Sequence, residues 1–132
     1  MKSWLSVLLA GLVGFAPLVA EAQQYKVDKY LHEDVAANAE GESIDVSGFN
    51  SVTVTIKGTS VDATFAFQGR GEASGSDWSS LACFKTSDTT RTAITSTIEV
   101  GIYQCNVAGL DQVKVPVSEY VAGTITVFAR AT

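Results

Sequence analysis

From Val52 to Arg130 the chain alternates apolar and polar residues almost without interruption, and Gly, Ser, Asn and Asp punctuate the pattern. A strand sends successive side chains to opposite faces, so a period of two sustained over many short segments demands half-buried sheet. The fold class is therefore all-β: a single antiparallel β-sandwich, jelly-roll-like or Ig-like, of about eight strands. Strand candidates run Ser43 to Val46, Ser51 to Lys57, Ala63 to Gln68, Leu81 to Lys85, Thr92 to Glu99, Ile102 to Val107, Gln112 to Ser118 and Thr124 to Arg130. Ser47-Gly48-Phe49-Asn50, Lys57-Gly58-Thr59-Ser60, Ala108-Gly109-Leu110-Asp111 and Ala122-Gly123 are the expected turns, each with a residue that tolerates positive φ or makes a local Asx hydrogen bond.

Parity assigns the faces. Val52, Val54 and Ile56 share one side, as do Ala63, Phe65 and Phe67, then Val113, Val115 and Val117, and finally Ile125, Val127 and Ala129. These are the expected inner faces of two packed sheets. Trp78 is read as core. Pro116 falls on the opposite parity from its Val neighbours and predicts an edge or a bulge, because it has no N–H to give to a ladder. Ahead of the sandwich, Gln23 to Glu40 is mixed and charged; Tyr25, Val27 and Tyr30-Leu31 are candidates for an edge strand, and Val35-Ala36-Ala37 for a second short element.

The N-terminus carries its own signal. A basic Met1-Lys2 precedes an apolar stretch from Trp4 to Val19, and Ala20-Glu21-Ala22 supplies small residues at the cleavage subsites of a secretory signal peptide. Cleavage is expected before Gln23; the alternative is a retained anchor. The organisation expected is a signal segment over 1–22, an N-terminal arm over 23–42 and the β-sandwich over 43–132. About 110 residues then remain, enough for one domain with a proper core. Contact with a membrane is expected only transiently, through the signal segment.

An exported chain with two cysteines predicts one disulfide, Cys83 to Cys105. Tyr103, Cys105 and Val107 share one parity and Leu81 and Cys83 another, so both thiols can point inward from different strands. Two buried free thiols are the alternative. Neither a metal nor a cofactor is expected, because lone His32 and two separated cysteines cannot close a tetrahedral shell. The formal charge of −5 comes with no Lys/Arg cluster, which argues against nucleic acid. No catalytic constellation stands out. Lys29, His32, Glu33 and Asp34 read as a solvated face, there is no Gly-x-Ser-x-Gly elbow, and Gly69 to Gly75 joins strands rather than opening a helix over a phosphate. A glycosidase-like carboxylate pair is not singled out by any spacing.

The order Ile44-Asp45-Val46-Ser47-Gly48-Phe49, Ala63-Thr64-Phe65-Ala66-Phe67, Ser76-Asp77-Trp78, Gly101 to Leu110 and Ala122-Gly123-Thr124-Ile125-Thr126-Val127 resembles the small β-sandwich structural proteins of tailed-phage and prophage virions, from roughly Ile44 to the C-terminus. In that group the first Trp packs under the sheet after an Asn or Asp-Gly turn; here Gly75-Ser76-Asp77-Trp78 keeps the Trp and alters the turn. The group usually lacks a signal peptide, since tailed-phage particles assemble in the cytoplasm, and this chain departs from it there. The resemblance implies a non-catalytic virion or assembly protein, a decoration, head or tail-associated subunit. Its expected partners are protein subunits of the same assembly, as a homo-oligomer, and its expected location is periplasmic, extracellular or on the virion surface. The alternative is an exported carbohydrate-binding or adhesion module. Phe84 and Phe128 fall on outward parity and are the candidate interface, since exposed Phe on a surface of low charge marks association; a neighbouring loop or the N-terminal arm covering both rings is the competing reading.

Overall fold

Every strand pairing among the described residues of the computed structural model, 26–71 and 77–132, is antiparallel, and the pairings make two sheets. The signal segment, the Gln23 terminus, Tyr25 and the Gly75-Ser76 turn lie outside the described residues. The strands are β1 (Val27–Val35), β2 (Ser43–Asp45), β3 (Ser51–Ala66), β4 (Gln68–Arg70), β5 (Ser79–Ser80), β6 (Cys83–Lys85), β7 (Ser96–Thr97), β8 (Gly101–Asn106), β9 (Gln112–Lys114) and β10 (Val117–Ala131). A six-stranded sheet runs β1-β10-β3-β8-β6 with β7 on β3, and a four-stranded sheet runs β2-β9-β4-β5.

The core is what the alternation demands. Val52, Val54 and Ile56 of β3, Tyr103 and Cys105 of β8, and Ile125, Val127 and Ala129 of β10 are buried against Ile44, Phe65, Phe67, Val113 and Val115. Each Val, Ile or Phe so enclosed contributes about 1.5–3 kcal/mol before the cost of ordering the chain. The ring of Phe67 meets that of Tyr103 at 5.2 Å, and the buried tyrosine keeps its hydroxyl satisfied by donating to the Glu99 carbonyl at 2.7 Å.

Two long strands run where shorter ones were expected. Ser51 to Lys57 and Ala63 to Gln68 were expected to be separated by a turn at Lys57-Gly58-Thr59-Ser60, and a second turn was expected at Ala122-Gly123; instead β3 and β10 run through both places, paired to each other. Beyond them the pairing continues in step. Val117 faces Phe65 and Lys114 faces Gln68, three residues on in each strand, although Val115-Pro116 and Phe67 interrupt the strands there. One ribbon therefore leaves the six-stranded sheet, turns the corner and becomes the centre of the four-stranded one, as strands do when they switch sheets through bulges. The turn chemistry is spent on those bulges. Register slips lie between Ser118, Ala122 and Thr124, and Ser60, Glu119 and Gly123 all have positive φ. Pro116 sits at the break, where its missing N–H costs no ladder bond and its carbonyl accepts from Ala66 at 3.2 Å.

The N-terminal segment is one bulged edge strand, β1, not two short elements. Its bulge after Tyr30 turns Leu31 and His32 inward together, breaking the period of two. His32 is thereby buried rather than part of a solvated face, and its Nε2–H donates to the Val115 carbonyl at 2.6 Å, just before Pro116. Over Thr92 to Glu99 only Ser96 and Thr97 form strand, plus a bridge from Ile94 to Cys83. The preceding loop is held by the Asp88 carboxylate, which accepts from the backbone N–H groups of Thr90 and Thr92 at 3.0 Å each and competes with regular pairing.

Cys83 and Cys105 are disulfide-bonded, with Cα atoms 4.3 Å apart. The short distance has a topological cause. Cys83 spends both its N–H and its C=O on Ile94, on its far side, so its pairing with Cys105 is of the non-hydrogen-bonded kind, where Cα atoms approach to about 4.5 Å.

Candidate functional site

Register places the outward side chains of the six-stranded sheet in ranks. One rank crosses four strands as Tyr30, Phe128, Thr55 and Ile102. Tyr30 and Ile102 are 45% and 46% exposed, while Phe128 is half-buried because Tyr30 packs edge-on against it at 5.1 Å between centroids. Both expected explanations of this ring hold a share: it points outward, and a residue of the N-terminal segment partly covers it. The cover is itself apolar and exposed, so the two rings enlarge one patch instead of hiding it.

The neighbouring rank is Asp28, Arg130, Thr53, Gln104 and Phe84. Arg130 grips Asp28 with two hydrogen bonds of 2.6 and 2.9 Å, which hold the aspartate below the usual carboxylate range and mark the polar boundary of the apolar patch. Phe84 also points outward, three strands away from Phe128, but in different company. Arg91 stands over its ring at 5.0 Å, and around it Asn50, Ser51, Gln104 and Asn106 line an open depression of about 420 Å³. The sequence grouped Phe84 with Phe128 by parity; the structure puts one in an apolar rank and the other in a polar hollow.

The Asp88 loop sets Arg91 in place. Arg91 has φ +53°, and its N–H donates to the Asp88 carbonyl at 3.3 Å. Hydrogen bonds, first from the Thr90 hydroxyl and then from the Thr92 and Thr90 N–H groups, lower the Asp88 pKa from 3.8. Because the folded value is depressed, the contribution of this carboxylate to loop order is present above its unfolded pKa and is lost as pH falls through the folded one. A pH titration followed by the Asp88 side-chain carboxyl ¹³C shift should give a midpoint below 3.8, with the Thr90 and Thr92 amide signals moving in the same step. A midpoint at or above that value would mean the loop is not held this way.

On the opposite sheet, Trp78 corrects the expectation that it is core. It is half-buried on the outer face, with the Arg70 guanidinium 4.7 Å and the Lys114 ammonium 4.6 Å from its ring centroid. Arg70 in turn donates to Gln112, and Lys114 pairs with Glu40 at 3.3 Å. Parity could not find this, since Trp78 belongs to no strand. Among the described residues no group of three His, Cys, Asp or Glu side chains gathers where a metal ion could sit.

Three comparisons bear on this arrangement. The XepA family model matches residues 25–131. The crystal structure of the SPBc2 prophage-derived protein YomS superposes with a TM-score of 0.72 at 27% identity, over 81% of this chain and 92% of that one. That of the PBSX exported protein XepA superposes with a TM-score of 0.73 at 21% identity; the match takes in 81% of this chain but 37% of that longer one, and it speaks for the fold alone. No curated protein matches the chain significantly.

Proposed function

Since the chain belongs to the XepA family, we propose that it is an exported, phage-associated protein that acts by association and not by catalysis, as a structural subunit of a homo-oligomer. The observation that carries this reading is the rank Tyr30, Phe128, Thr55 and Ile102: two aromatic rings and an isoleucine on either side of a threonine on the outer face of a sheet, next to a charged pair that sets its edge. Export is supported by the signal-like N-terminal pattern of the sequence and by one structural neighbour, which is named as an exported protein. Such an assembly would form outside the cytoplasm, in the periplasm or extracellular space or on a virion surface. Membership of a family with prophage-derived relatives supports the phage association.

The test is Phe128→Ser. A half-buried aromatic at the centre of a contact carries on the order of 2 kcal/mol of association, so the variant should self-associate more than about tenfold more weakly. Its thermal midpoint should stay near that of the wild type once both are compared as monomers. Sedimentation and thermal unfolding on the same samples read both quantities. A wild type that sediments as a monomer at every concentration, or a variant that loses its fold while keeping its association state, would overturn the reading.

A further inference from the structure

The hollow around Phe84 gathers polar side chains that keep hydrogen-bonding capacity to spare among the described residues. Arg91 makes no ion pair among the described residues; its guanidinium is parked on the Phe84 ring. A cation over an aromatic face keeps its N–H donors free for other partners, and a planar guanidinium matches a carboxylate or phosphate in bidentate fashion. The floor and far wall are amides with capacity to spare. Gln104 gives one N–H to the Ser51 hydroxyl at 3.2 Å and keeps its carbonyl and second N–H. Asn106 accepts from the Ala108 N–H at 3.1 Å and keeps its amide donors, and among the described residues the Asn50 side chain has no hydrogen bond. The Asn50 and Ser51 backbone N–H groups are already taken by a Thr132 oxygen, 3.2 Å from each, so an incoming anionic group is directed to the Arg91 end and not to that one.

Donors and acceptors along one wall, with a cation at the other end, match a ligand that carries several hydroxyls and one anionic group. We propose that this depression binds an acidic sugar residue, a uronic acid or a sugar phosphate, with its anionic group on Arg91 and its hydroxyls on Gln104, Asn106 and Asn50. The depression, about 420 Å³ and open to solvent, has room for one such residue. The site is built by three devices already described: the disulfide that fixes β6 on β8, the Asp88 loop that presents Arg91, and the register that brings Ser51 opposite Asn106. It does not depend on the association face, although both lie on the same sheet.

The experiment is a ¹H–¹⁵N titration of the intact protein with glucuronic acid and with glucose 1-phosphate, alongside glucose and inorganic phosphate. It is run on the wild type and on Phe128→Ser, so that a hollow covered by assembly is not taken for one that cannot bind. Signals of Ser51, Phe84, Gln104 and Asn106 should shift with at least one acidic sugar, whose affinity should exceed those of glucose and phosphate by about tenfold. Arg91→Gln should lose about tenfold for the acidic sugar, so that its affinity falls to that for glucose, with the association state unchanged. Arg91→Lys, which keeps the charge but not the planar fork, should not restore it fully. Equal affinities for phosphate and the sugar phosphate, with no response to glucuronic acid, would reduce the site to a bare anion contact and overturn the proposal; so would the absence of shifts in both protein forms. A loss of association in Phe128→Ser with binding intact would support both readings, and binding with no association in the wild type would sink the assembly reading alone.

Discussion

Replacing Cys83 and Cys105 together by Ala should lower the stability of the domain by roughly 3 kcal/mol and the thermal midpoint by on the order of 10 °C. The bond closes a loop of 22 residues, which restricts the unfolded chain by about that amount on the chain-entropy account. The native state adds a second reason. β6 is three residues long and sits at the end of its sheet, paired only with β8 and bridged to Ile94. Without the disulfide it is the strand most weakly held, and the Asp88 loop that follows should lose order with it. Denaturant unfolding of the oxidised wild type, the reduced wild type and the double variant would measure this, and hydrogen exchange at Phe84 and Ile94 would localise it. A loss well under 1 kcal/mol, or exchange that rises uniformly over the molecule, would show that β6 is held by packing alone.

The parts of this molecule that were legible in the sequence are those fixed by parity. Val52, Val54 and Ile56, or Val113, Val115 and Val117, are buried as their alternation required, and the cysteines pair because each shares parity with buried neighbours. What parity cannot express is a place where the period slips. The bulge in β1 buries Leu31 and His32 side by side, and in sequence Leu31 reads only as part of an edge strand while His32, among charges, reads as surface. β5 is two serines, with no apolar residue to signal it. Trp78 escapes parity because an aromatic side chain outside a strand can be satisfied by cations as well as by a core, and of its two cations only Arg70 lies near it in sequence, while Lys114 comes from a distant strand. The outward Phe pair shows the same limit. Parity found the face of both residues, but the contrast between them comes from Tyr30, which reaches Phe128 from the far N-terminal strand, and from Arg91, which a local loop with no strand period folds back over Phe84.

The glycines at the corner carry the other large expected effect. Gly123→Ala should cost about 3 kcal/mol or more, whereas Gly48→Ala should cost about 1 kcal/mol, although both residues have positive φ. At Gly48, with φ +80°, a Cβ would meet nothing within 4 Å, so only the left-handed backbone is penalised. At Gly123, with φ +99°, it would stand 2.7 Å from the Val61 Cα and 2.8 Å from the carbonyl oxygens of Ser60 and Thr59. Those are backbone atoms of the paired strand, which cannot swing aside as a flexible side chain would. Gly58 is the reciprocal case: its Cβ would fall 2.1 Å from the Thr124 carbonyl oxygen. The two strands can cross this closely only because both positions lack side chains. The crossing is also what lets one ribbon serve both sheets, since the stretch between Lys57 and Asp62 has β10 as its neighbour and neither β8 nor β1 beside it. Equilibrium unfolding of the two Ala variants side by side isolates the contact from the backbone preference. Equal losses at Gly48 and Gly123 would mean that the ribbon relaxes at the corner, and that the sharp passage between the sheets does not rest on these glycines.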